Sequence, residues 1–182
     1  MTDTKDMGSI PRDAWGLPDE ETLSCTDGLV ENHHYRDLRW IDWGDYADFV
    51  WCEDEILSLD DPEAEDEDDE QLIDNQVWML DIDPGVASTV AALAALGAVP
   101  FTSCNGAAGH VETHPLVGFW AEIDLAPQLS LAAKTAGVEL VGLGGMGLLV
   151  FHEYDCGPMI AFAEALRDQT LHPHTSTDHE AG

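Results

Sequence analysis

Val138-Glu139-Leu140-Val141-Gly142-Leu143-Gly144-Gly145-Met146-Gly147-Leu148-Leu149-Val150-Phe151-His152 is the stretch that decides the fold. Its glycine run has the look of a dinucleotide-binding loop, which would demand a parallel, doubly wound sheet. Such a loop must open into a phosphate-binding helix, whereas Leu148 to His152 continues as a second apolar strand. The run therefore reads as a hairpin turn, and the strands on either side of it as antiparallel neighbours.

Outward from the hairpin the elements alternate. Asp155 is placed to cap a helix from Cys156 to about Arg167, and a helix from about Leu125 to Ala136 ends at Gly137. Leu116 to Glu122 and Ala98 to Cys104 read as strands. Between Asp83-Pro84, a cap followed by proline, and Gly97, the apolar residues Val86, Val90, Leu93 and Leu96 mark a helix, preceded by a strand at Gln76 to Ile82. This order predicts an α+β fold, a largely antiparallel sheet with helices packed on one face, over residues 76–168. An acidic, partly helical N-terminal region (1–59) is expected before it, joined by an acidic linker (60–75), with a tail at 169–182. In the first region a short strand is expected near Thr22 to Ser24, and a helix capped by Asp45 carries Tyr46, Phe49, Val50, Ile56 and Leu57 at helical spacing.

Charge narrows the function. The 182 residues carry a formal net charge of −31, and 25 of the 37 acids lie in residues 1–75. The block Asp60 to Glu70 is the densest part. A field of this sign repels nucleic-acid backbones and anionic membranes, so neither is an expected partner, and it speeds the encounter with a basic protein. Acidity of this order also serves solubility alone. Thr2 to Arg12 lacks the apolar core of a signal peptide, and no apolar run is long enough to span a bilayer, which points to a soluble cytoplasmic protein. Cys25, Cys52, Cys104 and Cys156 form no paired motif and are expected as free thiols.

The most site-like segment is Thr102-Ser103-Cys104-Asn105-Gly106-Ala107-Ala108-Gly109-His110-Val111-Glu112-Thr113-His114-Pro115, a glycine-rich loop between two strands. Ser103, Cys104, Asn105, Gly106 and His110 are its candidate ligand-binding residues. Cys104, His110 and His114, with His152 or Cys156 from neighbouring elements, offer the nitrogen and sulfur donors of a zinc site. Alternatively Cys104 is a nucleophile with His110 or His114 as its base. The bland alternative is a buried thiol, an Asn-Gly turn and two surface histidines. Asp81 and Asp83 together would suit Mg²⁺, but Asp83 is better used as the helix cap, and Cys156 beside Asp155 is expected to be an inert thiol.

The residues Asp83-Pro84-Gly85-Val86, Val90, Leu93, Gly97, Thr102-Ser103-Cys104-Asn105-Gly106, His110 and His114-Pro115-Leu116-Val117 resemble an uncharacterised family of small bacterial proteins, over about residues 78–168. The resemblance implies a domain and no activity. The segment through Cys104 is more distantly similar to wybutosine-synthesis tRNA methyltransferases, whose run is Ser-Ser-Cys-Ser-Gly-Arg. Here Asn105 and Ala107 stand where those enzymes have serine and arginine, and Lys134 and Arg167 are the domain's two bases, so tRNA methylation does not transfer.

Two functions remain open at this point. One is an acidic protein-binding module, an immunity protein, inhibitor or accessory subunit of a bacterial conflict or defence system, that engages a basic partner through Trp40, Trp43, Tyr46 and Trp51, with Tyr35 nearby. The other is a small metal- or thiol-dependent enzyme or ligand-binding protein centred on the Cys104 to His114 loop.

Overall fold

The structure, a computed structural model, describes residues 10–19, 38–58 and 82–172. The strand expected at Thr22 to Ser24, all but Ile82 of the strand expected at Gln76 to Ile82, the block Asp60 to Glu70, Cys25, Tyr35, Asp81 and the chain beyond His172 lie outside the described residues.

Four α-helices and four strands are present among the described residues: α1 (Trp43–Leu57), α2 (Ala87–Ala95), β1 (Val99–Cys104), β2 (Leu116–Trp120), α3 (Ala126–Ala136), β3 (Glu139–Gly142), β4 (Leu148–Phe151) and α4 (Gly157–Leu171). The sheet has the order β1-β2-β4-β3 and every pair is antiparallel, so the fold is α+β. The glycine run is the β3–β4 hairpin. Its turn closes through Leu143 N–H donating to Gly147 O at 2.8 Å. Gly147 has φ +102°, and a Cβ there would meet Phe119 O at 2.7 Å, so glycine is required where the turn crosses β2.

Register aligns the apolar residues on one face. Val117 lies opposite Val150, Phe119 opposite Leu148 and Leu140 opposite Val150, and all of these are buried. Against the sheet packs α2, whose residues from Ala87 to Ala94 are buried on every side, as expected of a helix that is apolar all round. Alanine at Ala87, Ala91, Ala92 and Ala94 lets α1 and α4 approach it closely. Gly97, at φ +92°, ends α2 as expected, with Ala98 N–H donating to Leu93 O at 2.9 Å. Leu38, Ile41, Tyr46, Phe49 and Cys52, from the acidic N-terminal part, belong to the same core as Val90, Phe119 and Phe162. A short turn of 3-10 helix, Arg12–Ala14, lies against Gly142, where a Cβ would meet Ala14 Cβ at 2.8 Å and Ile10 Cγ2 at 2.9 Å.

Three local expectations are corrected. Asp42, not Asp45, caps α1: its Oδ1 accepts from Gly44 N–H and Asp45 N–H, while Asp45 Oδ2 accepts from Asp42 N–H in return. Two aspartates three residues apart can form only a reciprocal box with the first as cap. The last helix runs on to Leu171, past the expected end at Arg167, because nothing from Asp168 to Thr170 breaks a helix. Asp83 does not cap α2, whose first helical residue is Ala87. Pro84 to Val86 forms a turn instead, and the Asp83 carboxylate faces the loop after β1.

Candidate metal centre

The site is assembled by a turn on each side. After Cys104 the chain reverses at Gly106, φ +73°, where a Cβ would strike the His114 backbone at 2.7 Å. The Asn105 amide joins the two turns: its Nδ2–H donates to Pro84 O at 3.1 Å and its Oδ1 accepts from Ala107 N–H at 3.0 Å. Its backbone N–H donates to Asp83 Oδ2 at 3.2 Å, which draws that carboxylate to the end of β1. A second turn, closed by His110 N–H to Ala107 O at 3.1 Å, folds the imidazole back over Cys104.

The result is a convergence of three different donors. His110 Nδ1 lies 3.3 Å from Cys104 Sγ and 3.3 Å from Asp83 Oδ2, and the three donor atoms all lie within 4.8 Å of one another. A catalytic Cys-His-Asp chain needs the thiol on one ring nitrogen and the carboxylate on the other. Here both face Nδ1, so the imidazole does not link them in series. For a tetrahedral ion with bonds of about 2.3 Å to sulfur and about 2.0–2.1 Å to nitrogen and oxygen, adjacent donors stand about 3.3–3.6 Å apart. The two separations from His110 Nδ1 match that spacing. Gly106 N–H donates to Cys104 Sγ at 3.4 Å, a contact that also suits a metal-bound thiolate.

Of the expected ligands, Cys104 and His110 are brought together, and His114 and His152 are not among the three. Each of those two is held by the β4–α4 connection. His114 Nδ1–H donates to Glu153 O at 3.0 Å, and His152 Nδ1 accepts from Tyr154 N–H and Asp155 N–H at 3.3 and 3.4 Å. Ser103 stands on β1 opposite Val117, outside the cluster. Cys156 immediately precedes α4, and its thiol donates to Asn105 O at 3.7 Å. Burial, and then the acidic groups of Glu53, Asp155, Asp83 and Cys104, push this thiol up to about 11, so it is neutral at pH 7.

Sequence reasoning missed Glu53. Only 1% exposed, it accepts from Gly85 N–H (2.7 Å) and Ala87 N–H (2.9 Å) on Oε1 and from Ser88 N–H (3.2 Å) on Oε2. It thus caps α2 from another helix, where the dipole favours an anion. Burial pushes its carboxyl above the usual range while the three N–H groups pull it back. The available signal was spacing, since Glu53 falls seven residues after Tyr46 and four after Phe49 on the buried stripe of α1.

The class these features define is an α+β domain with a mixed thiol, imidazole and carboxylate cluster at one end of its sheet. No protein-family model, no curated protein and no solved structure matches the chain. No helix among the described residues is long and apolar enough to cross a membrane.

Proposed function

We propose that the chain is a transition-metal-binding protein, with zinc the ion best suited to a donor set of one thiolate, one imidazole and one carboxylate. The observation that carries this reading is the shared approach of Cys104 Sγ and Asp83 Oδ2 to His110 Nδ1, both at 3.3 Å. In this reading Asp83 and Cys104 supply charge, His110 supplies a neutral donor, and Asn105 orients Asp83. Three protein donors leave a tetrahedral ion one further position to fill. Purified protein loaded with Zn²⁺ and passed through a chelating column should retain one equivalent. Cys104→Ser, His110→Ala and Asp83→Asn should each weaken binding by more than the roughly 10–100-fold typical of losing an outer-shell partner. Wild-type protein that retains no metal, or variants that bind as tightly as it does, would refute the reading.

A second reading, association with a basic protein, draws support from Trp40 and Trp51, which are 57% and 52% exposed; Trp51 shares α1 with the exposed Asp48 and Asp54. Of the four expected anchors these two remain. Tyr46 is buried in the core at 1% exposure, and Trp43 is half-buried with its ring edge-on to Tyr46 at 5.4 Å. Trp51→Ala should speed dissociation from such a partner, and rising salt should slow association. A low-salt pull-down from the source cell whose captured partner dissociates equally fast from wild type and Trp51→Ala contradicts it.

A further inference from the structure

We propose that Cys156 supplies the fourth donor of the metal centre, closing it as a set of one aspartate, one histidine and two cysteines. This rests on the metal reading of Asp83, Cys104 and His110 and specifies how that site is completed.

Placement comes first. His152 N–H donates to Pro115 O at 3.1 Å, which pins the end of β4 to the end of the loop that carries His110. Four residues later Cys156 points its thiol at Asn105 O, the carbonyl of the residue that follows Cys104 and holds Asp83. Space around the sulfur is reserved for it. A Cβ on Gly85, two residues after Asp83, would come 2.6 Å from Cys156 Sγ and 2.8 Å from its Cβ. The sulfur therefore packs directly on the turn that delivers one ligand and against the peptide that follows another.

Charge points the same way. Three carboxylates stand on the chain that packs around this sulfur: Asp155 precedes Cys156, Asp83 lies two residues before Gly85, and Glu53 accepts from Gly85 N–H at 2.7 Å. Such a setting favours a divalent cation, which deprotonates a coordinating thiol outright. The sulfur lies outside the 4.8 Å cluster. A change of χ1 rotamer moves a cysteine sulfur by about 3 Å, and the hydrogen bond it would give up, from a weak S–H donor at 3.7 Å, is slight. His114 and His152 are the rival donors on nearby chain; with Nδ1 engaged each would offer Nε2, and neither brings the sulfur that a two-thiolate centre requires. With Cys156 in place, no coordination position is left for water, and the ion ties together the turn before α2, the end of β1, the loop and the start of α4.

Cobalt(II) titration tests this, because the sulfur-to-cobalt charge-transfer band grows with the number of bound thiolates. Wild type should show the intensity of two thiolates. Cys156→Ser and Cys104→Ser should each show about half, and each should release one proton fewer per ion bound. Unchanged metal-free circular dichroism and melting of Cys156→Ser guard against a folding defect, and Cys156→Ala serves if the serine variant misfolds. If Cys156→Ser keeps the full band and full proton release while Cys104→Ser loses the band entirely, the fourth donor is not Cys156 and the proposal is overturned with the metal reading intact. If wild type develops no band, and Asp83→Asn and His110→Ala behave as it does, the metal reading itself fails and takes this proposal with it.

Discussion

Gly106 shows how much a single position contributes to the site. Its φ of +73° and the 2.7 Å separation between a Cβ placed there and the His114 backbone leave alanine no unstrained solution. Gly106→Ala should cost about 1–3 kcal/mol in urea unfolding and, on the proposed metal reading, should weaken metal binding as His110 shifts. A variant with wild-type stability would show that the loop yields without strain. At this scale the sequence was partly legible. Asn105-Gly106 announced a tight turn, and Cys104 with His110 announced donors. Asp83 reads as a helix cap because Asp-Pro ordinarily starts a helix, whereas its carboxylate accepts from the Asn105 backbone N–H, a contact across 22 residues that no local pattern records.

Among the elements, α2 depends on α1 for its cap. Replacing Glu53 by glutamine turns one of two accepting oxygens into an N–H donor among the N–H groups of Gly85, Ala87 and Ser88, and the expected destabilisation is about 1–3 kcal/mol. Its pH dependence has a definite sign. The folded carboxyl is raised above its unfolded value of about 4.3, so its contribution is complete below that pH and declines as pH climbs through the raised value. The stability gap between wild type and Glu53→Gln should therefore be widest in acid and narrow toward neutrality; a gap that widens with pH would contradict the assignment. The four helices and four strands among the described residues were legible from periodicity and turn residues. The cap from α1 was not, because an acid on an acidic helix resembles every other solvent-facing acid until its position on the buried stripe is counted.

Taken as a whole, the molecule is a compact fold under a heavy negative load. With a net charge of −31, mutual repulsion opposes compaction, and screening should relieve it. Raising ionic strength from 0.01 to 0.15 M shortens the Debye length from about 30 to about 8 Å, so the melting temperature should rise over that interval. A flat response would mean that the acids lie too far apart to interact. Composition made the charge obvious, but the sharing of one core by α1 and the sheet was hidden, since acidity and burial were segregated by helix face and not by segment.

The Asn105-Gly106 pair also sets how the molecule ages. An asparagine before glycine is prone to cyclise when the following backbone nitrogen attacks its side-chain carbonyl and expels the side-chain nitrogen as ammonia, after which hydrolysis of the ring leaves an acid in place of the amide. Here Asn105 Oδ1 and Nδ2 are held by Ala107 and Pro84, and the Gly106 N–H is held by Cys104 Sγ. While these bonds persist, neither the side-chain amide nor the Gly106 nitrogen is free to turn toward the other. The rate at which stored protein converts Asn105 to aspartate, followed by mass spectrometry, thus becomes a slow chemical record of how often this corner opens.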